Sequence, residues 1–253
     1  MLEAYLKEKL EKKDLLLMTH IVLGYPSFDD SLRIIESMVE AGVDLMELQI
    51  PFSEPIADGP VILKANQKAL SAGATVQKCF DLAKEAAGTF PIPFLFMSYY
   101  NILYQYGINA FAEAAAESGL RGAIVPDLPP EEGKDYLIAM DRNELSPIFI
   151  FSPNTPVERM TYIASVGRGF IYCVARKGVT GAGTDFSNQL SEYLGLCRQA
   201  TDLPLALGFG VKEKKDMEFL KGKADIAVIG TQTVRLIDTE GIEAVGPFIR
   251  NLR

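Results

Sequence analysis

The sequence predicts a single α/β domain, residues 1–253, folded as a (β/α)8 TIM barrel. An extra N-terminal helix precedes the barrel, and a short phosphate-binding helix follows strand eight. Short apolar runs alternate with helical periods eight times along the chain. These runs are almost continuously apolar, which is typical of parallel strands covered by helices. The length of 253 residues is ordinary for one barrel, and no linker or change of composition divides the chain.

The elements can be placed in chain order. The segment LKEKLEKKD, residues 6–14, mixes acids with bases at helical spacing and predicts an amphipathic helix ahead of the first strand. The apolar runs that follow predict strands at 15–24, 43–51, 92–99, 122–128, 146–153, 169–176, 203–210 and 224–231.

Helices between these strands are indicated by apolar stripes and by capping signals. After strand one, an apolar stripe with a 3.6-residue period runs from Phe28 to Val39. After strand five, the sequence TPVERM predicts a helix with Thr155 at the N-cap and Pro156 as its first residue. A doubly wound open sheet is the alternative fold, but it carries a glycine fingerprint after strand one that GYPSFDD, residues 24–30, lacks.

Composition excludes several classes of function. The net charge of −8 and the pI of about 4.9 argue against nucleic-acid binding and against binding to acidic membranes. No apolar run approaches membrane-spanning length. The three scattered cysteines form no CxxC pair, which favours a reducing cytoplasm, and with the single histidine they offer no metal site.

Glycine-rich loops after strands six, seven and eight predict a phosphate site. Such loops let backbone N–H groups approach an anion, and the N-terminus of a helix adds its positive end. Three such loops would be neighbours on one rim of a barrel, which favours phosphate binding, although each loop alone is more simply a tight turn. The candidate phosphate ligands are Gly181, Gly208, Gly210, Gly230 and Thr231.

Two carboxylates are candidates for catalysis: Glu47 lies on strand two, and Asp58 lies in the loop that follows it. The side-chain period of two places Glu47 on the same face as Leu45 and Gln49, and that face can point into the barrel. A buried carboxylate is costly unless it is paired or used, so we favour a catalytic Glu47 over a structural salt bridge to a lysine or arginine. Asp58 lies in IADGP, where Asp-Gly is by itself an ordinary turn signal.

The long segment ELQIPFSEPIADGP, residues 47–60, is similar to the hallmark E-L-G-x-P-F-S-D-P-x-A-D-G-P of the tryptophan synthase alpha subunit family. The resemblance extends along the whole chain, through MSYYN, PDLPPEE, ARKGVTG, GFG and IGTQTV after strands three, four, six, seven and eight. The first motif is specific, whereas the glycine motifs are shared by many phosphate-binding barrels.

The resemblance implies a retro-aldol cleavage of indole-3-glycerol phosphate to indole and glyceraldehyde 3-phosphate. In the family's pattern, Glu47 is the acid and base, and Asp58 accepts the indole N–H. Tyr172 lines the site, and Thr180 belongs to a loop that closes over substrate. Tyr99, at the end of strand three, is a further candidate for substrate binding.

The resemblance also implies a pyridoxal-phosphate-dependent beta subunit as partner, in an alpha-beta-beta-alpha heterotetramer, with no cofactor or metal in this chain. Alternatives are a free-standing lyase that releases indole and a non-catalytic activator of the beta subunit. The synthase that makes the indole substrate is a further alternative, but its chemistry relies on lysines at strand ends.

Three residues depart from the family's pattern. Gln49 stands where the family usually has glycine, and Glu54 replaces an aspartate in the loop that touches the beta subunit. His20 stands where an aromatic residue commonly contacts the indole. A single histidine on an apolar strand is more often a core residue than a catalyst, so we interpret His20 as pocket lining at most.

Overall fold

A computed structural model describes residues 2–175, 183–208 and 210–253, except the side chains of 183–187. Eight parallel strands form a closed barrel in sequential order, with β8 paired to β1. This confirms the predicted fold and all eight strands. The strands are β1 (Leu16–Val22), β2 (Leu45–Gln49), β3 (Phe94–Met97), β4 (Gly122–Ile124), β5 (Ser146–Phe151), β6 (Ile171–Val174), β7 (Leu205–Gly208) and β8 (Ile226–Ile229).

Helices surround the barrel, and two of them follow β8. None of those in the described part of the chain is long and apolar enough to cross a membrane. The helices are α1 (Leu2–Leu10), α2 (Phe28–Glu40), α3 (Pro60–Ser71), α4 (Val76–Thr89), α5 (Tyr100–Tyr106), α6 (Ile108–Glu117), α7 (Lys134–Arg142), α8 (Val157–Val166), α9 (Gly183–Ala200), α10 (Lys214–Leu220), α11 (Thr231–Glu240) and α12 (Val245–Asn251), with a 3₁₀ turn at Ile242–Ala244.

The strands are apolar on both faces because both faces are buried. On β2, Leu45 packs into the barrel interior, whereas Met46 and Leu48 pack outward against the helical layer. This alternation confirms the predicted inward face of β2. It also directs Glu47, which is only 3% exposed, into the barrel near the C-terminal end of the strand.

One predicted cap is displaced by a residue. Helix α8 begins at Val157, and its N-cap is Pro156, which has extended geometry. The hydroxyl of Thr155 instead accepts a hydrogen bond from the backbone N–H of Ser152, at 3.2 Å. Thr155 therefore closes the turn before the helix rather than capping the helix, because its Oγ1 points back toward β5.

The extra N-terminal helix closes one end of the barrel. Leu2 and Leu6 of α1 are buried in the interior cluster, together with Leu16 and Phe170 from the barrel wall. Gly169, at φ +82°, passes so close that a Cβ there would lie 2.9 Å from Leu2. This end is filled with apolar side chains, so the carboxyl ends of the strands are left for a site.

Candidate active site

Glu47 is paired with a histidine. The register between β1 and β2 places His20 directly beside Glu47, and His20 Nδ1 lies 3.0 Å from Glu47 Oε1. Both side chains are buried. The expected alternative, a structural salt bridge from Glu47 to lysine or arginine, does not occur within the described residues, where His20 is the ion-pair partner.

The environment favours the protonated form of His20. Burial lowers the pKa of the imidazole, but the hydrogen bond to Glu47 and the negative charges of Glu47 and Asp58 outweigh burial. The pKa of His20 is therefore raised above its ordinary value. The pair of His20 and Glu47 therefore favours keeping a shared proton.

Asp58 is held at the rim by two donors. Gln49 Nε2 lies 2.7 Å from Asp58 Oδ2, and the Tyr99 hydroxyl lies 3.0 Å from the same oxygen. The backbone N–H of Asp58 also bonds to the carbonyl of Pro55, at 2.9 Å, so the segment is a turn as well. Because both described side-chain bonds end on Oδ2, Asp58 can offer Oδ1 to a ligand.

Tyr99 supports the loop that carries Asp58. Its hydroxyl accepts a hydrogen bond from the backbone N–H of Ala57, at 3.1 Å, and its ring stacks on Phe52 with centroids 5.1 Å apart. Burial, followed by the Asp58 charge, raises the pKa of the Tyr99 phenol well above its ordinary value. Tyr99 therefore stays neutral and donates to Asp58. Its side chain is fully buried, which makes it a support for Asp58.

Tyr172 completes the wall opposite β2. Burial, followed by the charges of Glu47 and Asp58, raises the pKa of its phenol well above the ordinary value. Tyr172 is therefore a neutral donor facing both carboxylates. A Cβ at Gly208 would lie 2.8 Å from the Tyr172 ring, so glycine at this position makes room for the tyrosine.

The predicted phosphate ligands are only partly within the described residues. Gly230 is the N-cap of α11 and Thr231 is its first residue, so the free amides of that helix begin at the rim. Gly210 has φ +81°, which favours glycine. Thr180 and Gly181, with the rest of the predicted closing loop at 176–182, lie outside the described residues.

Comparison with known proteins identifies the family. The family model for the tryptophan synthase alpha chain matches residues 6–246. The tryptophan synthase alpha chain of Syntrophotalea carbinolica is 64% identical over 253 residues, covering 100% of both chains. The alpha chain of Desulforapulum autotrophicum is 62% identical over 252 residues, again covering 100% of both. The chain belongs to the tryptophan synthase alpha chain family.

A solved structure agrees with this membership. A chain in the tryptophan synthase complex of Pyrococcus furiosus superimposes with a TM-score of 0.86 at 28% identity, covering 94% of this chain and 97% of that one. The family resemblance inferred from the sequence is therefore confirmed, together with the barrel that it implied.

Two residues beside the predicted catalytic carboxylates were underestimated from the sequence. His20 was interpreted as pocket lining, and Gln49 only as a departure from glycine. Each of them hydrogen-bonds one of the two carboxylates. The period of two along β1 could have indicated the inward direction of His20, because His20 shares a face with Leu16 and Met18, which pack into the barrel interior.

Proposed function

We propose that this chain cleaves indole-3-glycerol phosphate to indole and glyceraldehyde 3-phosphate, with Glu47 and Asp58 as the catalytic pair. The observation that carries this proposal is the position of Glu47: a buried carboxylate at the carboxyl end of β2, paired only with a titratable histidine among the described residues. Membership of the tryptophan synthase alpha chain family supports the reaction.

Glu47 moves two protons in this proposal. It first donates a proton to C3 of the indole ring, which gives the indolenine tautomer. It then removes the proton of the glycerol hydroxyl next to the ring. That O–H electron pair forms the aldehyde C=O while the electrons of the carbon–carbon bond return to the indole. One carboxyl group thus serves as acid and base, and it ends in its starting state.

Asp58 accepts the indole N–H. The ring nitrogen gains positive charge when C3 is protonated, so an ionised carboxylate beside it stabilises the intermediate. The hydrogen bonds from Gln49 and Tyr99 to Oδ2 orient Asp58 and support its role as an acceptor. Tyr172, whose hydroxyl lies next to Glu47, lines the substrate site on the opposite wall.

The phosphate is bound by Gly208, Gly210, Gly230 and Thr231, together with Gly181 from the loop outside the described residues. The N-terminus of α11 supports this assignment, because free amides and the helix dipole favour an anion there. The left-handed backbone at Gly210 also keeps side chains out of this region.

The partner is a pyridoxal-phosphate-dependent beta subunit, and the complex is an alpha-beta-beta-alpha heterotetramer in the cytoplasm. Support comes from the family and from the loop between β2 and α3. Ile56 in that loop is 80% exposed, beside the exposed Glu54 and two residues before Asp58. A partner that covers Ile56 would therefore press on the segment that positions Asp58.

The test is direct. Purified chain is incubated with indole-3-glycerol phosphate, alone and with a beta subunit, and indole and glyceraldehyde 3-phosphate are measured. We expect both products in equal amounts, with faster release when the beta subunit is present. Absence of indole under both conditions from folded protein would contradict the proposed function. Equal rates with and without the beta subunit would favour the free-standing lyase.

A further inference from the structure

We infer that His20 and Glu47 form a proton relay, in which His20 shares one proton with the Glu47 carboxyl group and keeps that proton available for transfer. The inference rests on the proposed function of Glu47 and Asp58.

The geometry pairs each of the two carboxylates with one polar side chain. His20 Nδ1 lies 3.0 Å from Glu47 Oε1, and Gln49 Nε2 lies 2.7 Å from Asp58 Oδ2. The remaining polar atoms of the two partners, His20 Nε2 and Gln49 Oε1, are buried and have no hydrogen-bond partner among the described residues, so the two pairs are separate. Both residues alternate onto the inward face of adjacent strands.

Donor and acceptor rules assign the protons. The Asp58 carboxylate accepts, so the Gln49 amide must present its NH2 to Asp58 and its oxygen to the site. A neutral imidazole that has given up the proton at Nδ1 carries its hydrogen on Nε2. Nδ1 then either accepts from a protonated Glu47 or donates to an ionised one. In both cases one proton lies between Nδ1 and Oε1.

The surroundings hold this arrangement. The groups that set the charge of His20 are Glu47 from β2 and Asp58 from the following loop, and Gln49 adds to their effect. On the β8 side lies Gly230, where a Cβ would come within 3.2 Å of His20 Cβ, so the backbone there fixes the ring. Burial lowers the pKa of His20, but the carboxylates raise it further, so the imidazole keeps the shared proton.

The shared proton accounts for both proton transfers of the proposed reaction. The shared proton passes through Glu47 to C3 of the indole, which leaves an ionised Glu47 beside a neutral His20. Glu47 then takes the proton of the glycerol hydroxyl as the carbon–carbon bond breaks, and the pair regains its one proton. His20 acts through Glu47 and does not touch the reacting atoms, so it is a positioning residue.

The chain contains one histidine, so His20 can be observed without ambiguity by ¹⁵N NMR of the imidazole in substrate-free protein. We expect titration above the ordinary value of about 6.5, with hydrogen on Nε2 in the neutral form. In E47Q, burial is left to dominate, so the pKa of His20 should fall below that value. D58N should lower it less, and D127N, a carboxylate that caps α5, should leave it unchanged. An unchanged pKa in E47Q, or a neutral form protonated on Nδ1, would overturn the relay.

The pH dependence of kcat provides a second test of the relay. The one-proton pair is the active form, so wild-type kcat should fall as pH rises through the raised pKa of His20. In H20F, kcat should drop roughly tenfold, the equivalent of a hydrogen bond to a charged group, and that alkaline limb should move. H20N can hydrogen-bond Glu47 but cannot store a proton, so it should keep KM without restoring the limb. A wild-type pH profile in H20N would overturn the relay. If wild type releases no indole, the proposed function fails while the NMR result still decides the relay.

Discussion

The buried carboxylates at the two ends of the barrel have very different partners, although both lie on or next to strand β2. Just before β2, Asp44 is 2% exposed and fully partnered. Its carboxylate binds Lys13 at 2.5 Å, the backbone N–H of Leu17 at 2.9 Å and Arg253 at 2.8 Å. Three residues further along, Glu47 is equally buried, and its ion-pair partner among the described residues is His20.

The difference indicates that Asp44 contributes to stability, whereas Glu47 belongs to a functional site. Two cations and a backbone donor hold Asp44 as a fixed anion, and the apolar plug of α1 covers the same end. At the other end, His20 Nε2 and Gln49 Oε1 are buried without partners in the described residues. Unsatisfied polar atoms cost stability, so their presence beside Glu47 indicates a site organised for a ligand.

The largest expected effect is on catalysis, from E47Q. Removing the general acid–base should lower kcat by ~10²–10⁴. The free energy of unfolding should change by less than about 1 kcal/mol, because the amide can still hydrogen-bond His20. Indole release and urea unfolding measure the two quantities. Activity above about a tenth of wild type in folded E47Q would break the assignment.

D44N is the matched change at the other end of β2, again carboxylate to amide. Lys13 and Arg253 would lose their shared anion, and since their side chains are about one-third exposed we expect a loss of about 2 kcal/mol in unfolding free energy. The kcat of the folded fraction should stay within about twofold, since the described partners of the Asp44 carboxylate, Lys13, Leu17 and Arg253, all lie outside the proposed site. A kcat loss comparable to that of E47Q would contradict the assignment of a structural role to Asp44 and a catalytic role to Glu47.

Gly210 tests the phosphate assignment. G210D adds an anion at the proposed cradle and should raise KM for indole-3-glycerol phosphate by roughly tenfold or more. G210A is the control, because the positive φ strains any side chain while a Cβ meets no described atom within 4 Å. An equal KM in the two variants would attribute the effect to backbone strain, and an unchanged KM in G210D would place the phosphate elsewhere.

Q49G, the change to the family's usual residue, should have the smallest effect. It removes one of two donors to Asp58 and leaves Tyr99 in place. We expect kcat/KM to fall by less than about tenfold, within the range for one hydrogen bond to a charged group. A loss as large as that of E47Q would mean that Gln49, and not Tyr99, is the main support of Asp58.

The fold was predictable because its signals are local. Continuous apolar runs marked every strand, and the period of two directed Glu47 inward. The cap at Thr155 was wrong because the turn to Ser152 competes for the same hydroxyl.

The contacts of His20 and Gln49 were not predictable in the same way. The bond from His20 to Glu47 depends on the register between two strands separated by a helix. The bond from Gln49 to Asp58 depends on the path of the loop after β2, which contains two prolines and a glycine. Neither register nor loop path can be read from periodicity in one segment.

The most direct test of the account is a crystal structure with indole-3-propanol phosphate, a substrate analogue that lacks the glycerol hydroxyls. We expect the indole N–H at about 3 Å from Asp58 Oδ1, C3 facing Glu47, and the phosphate on the first amides of α11 at Thr231. A ligand bound at the end closed by α1, or a phosphate away from α11 with the indole N–H turned from Asp58, would contradict the account.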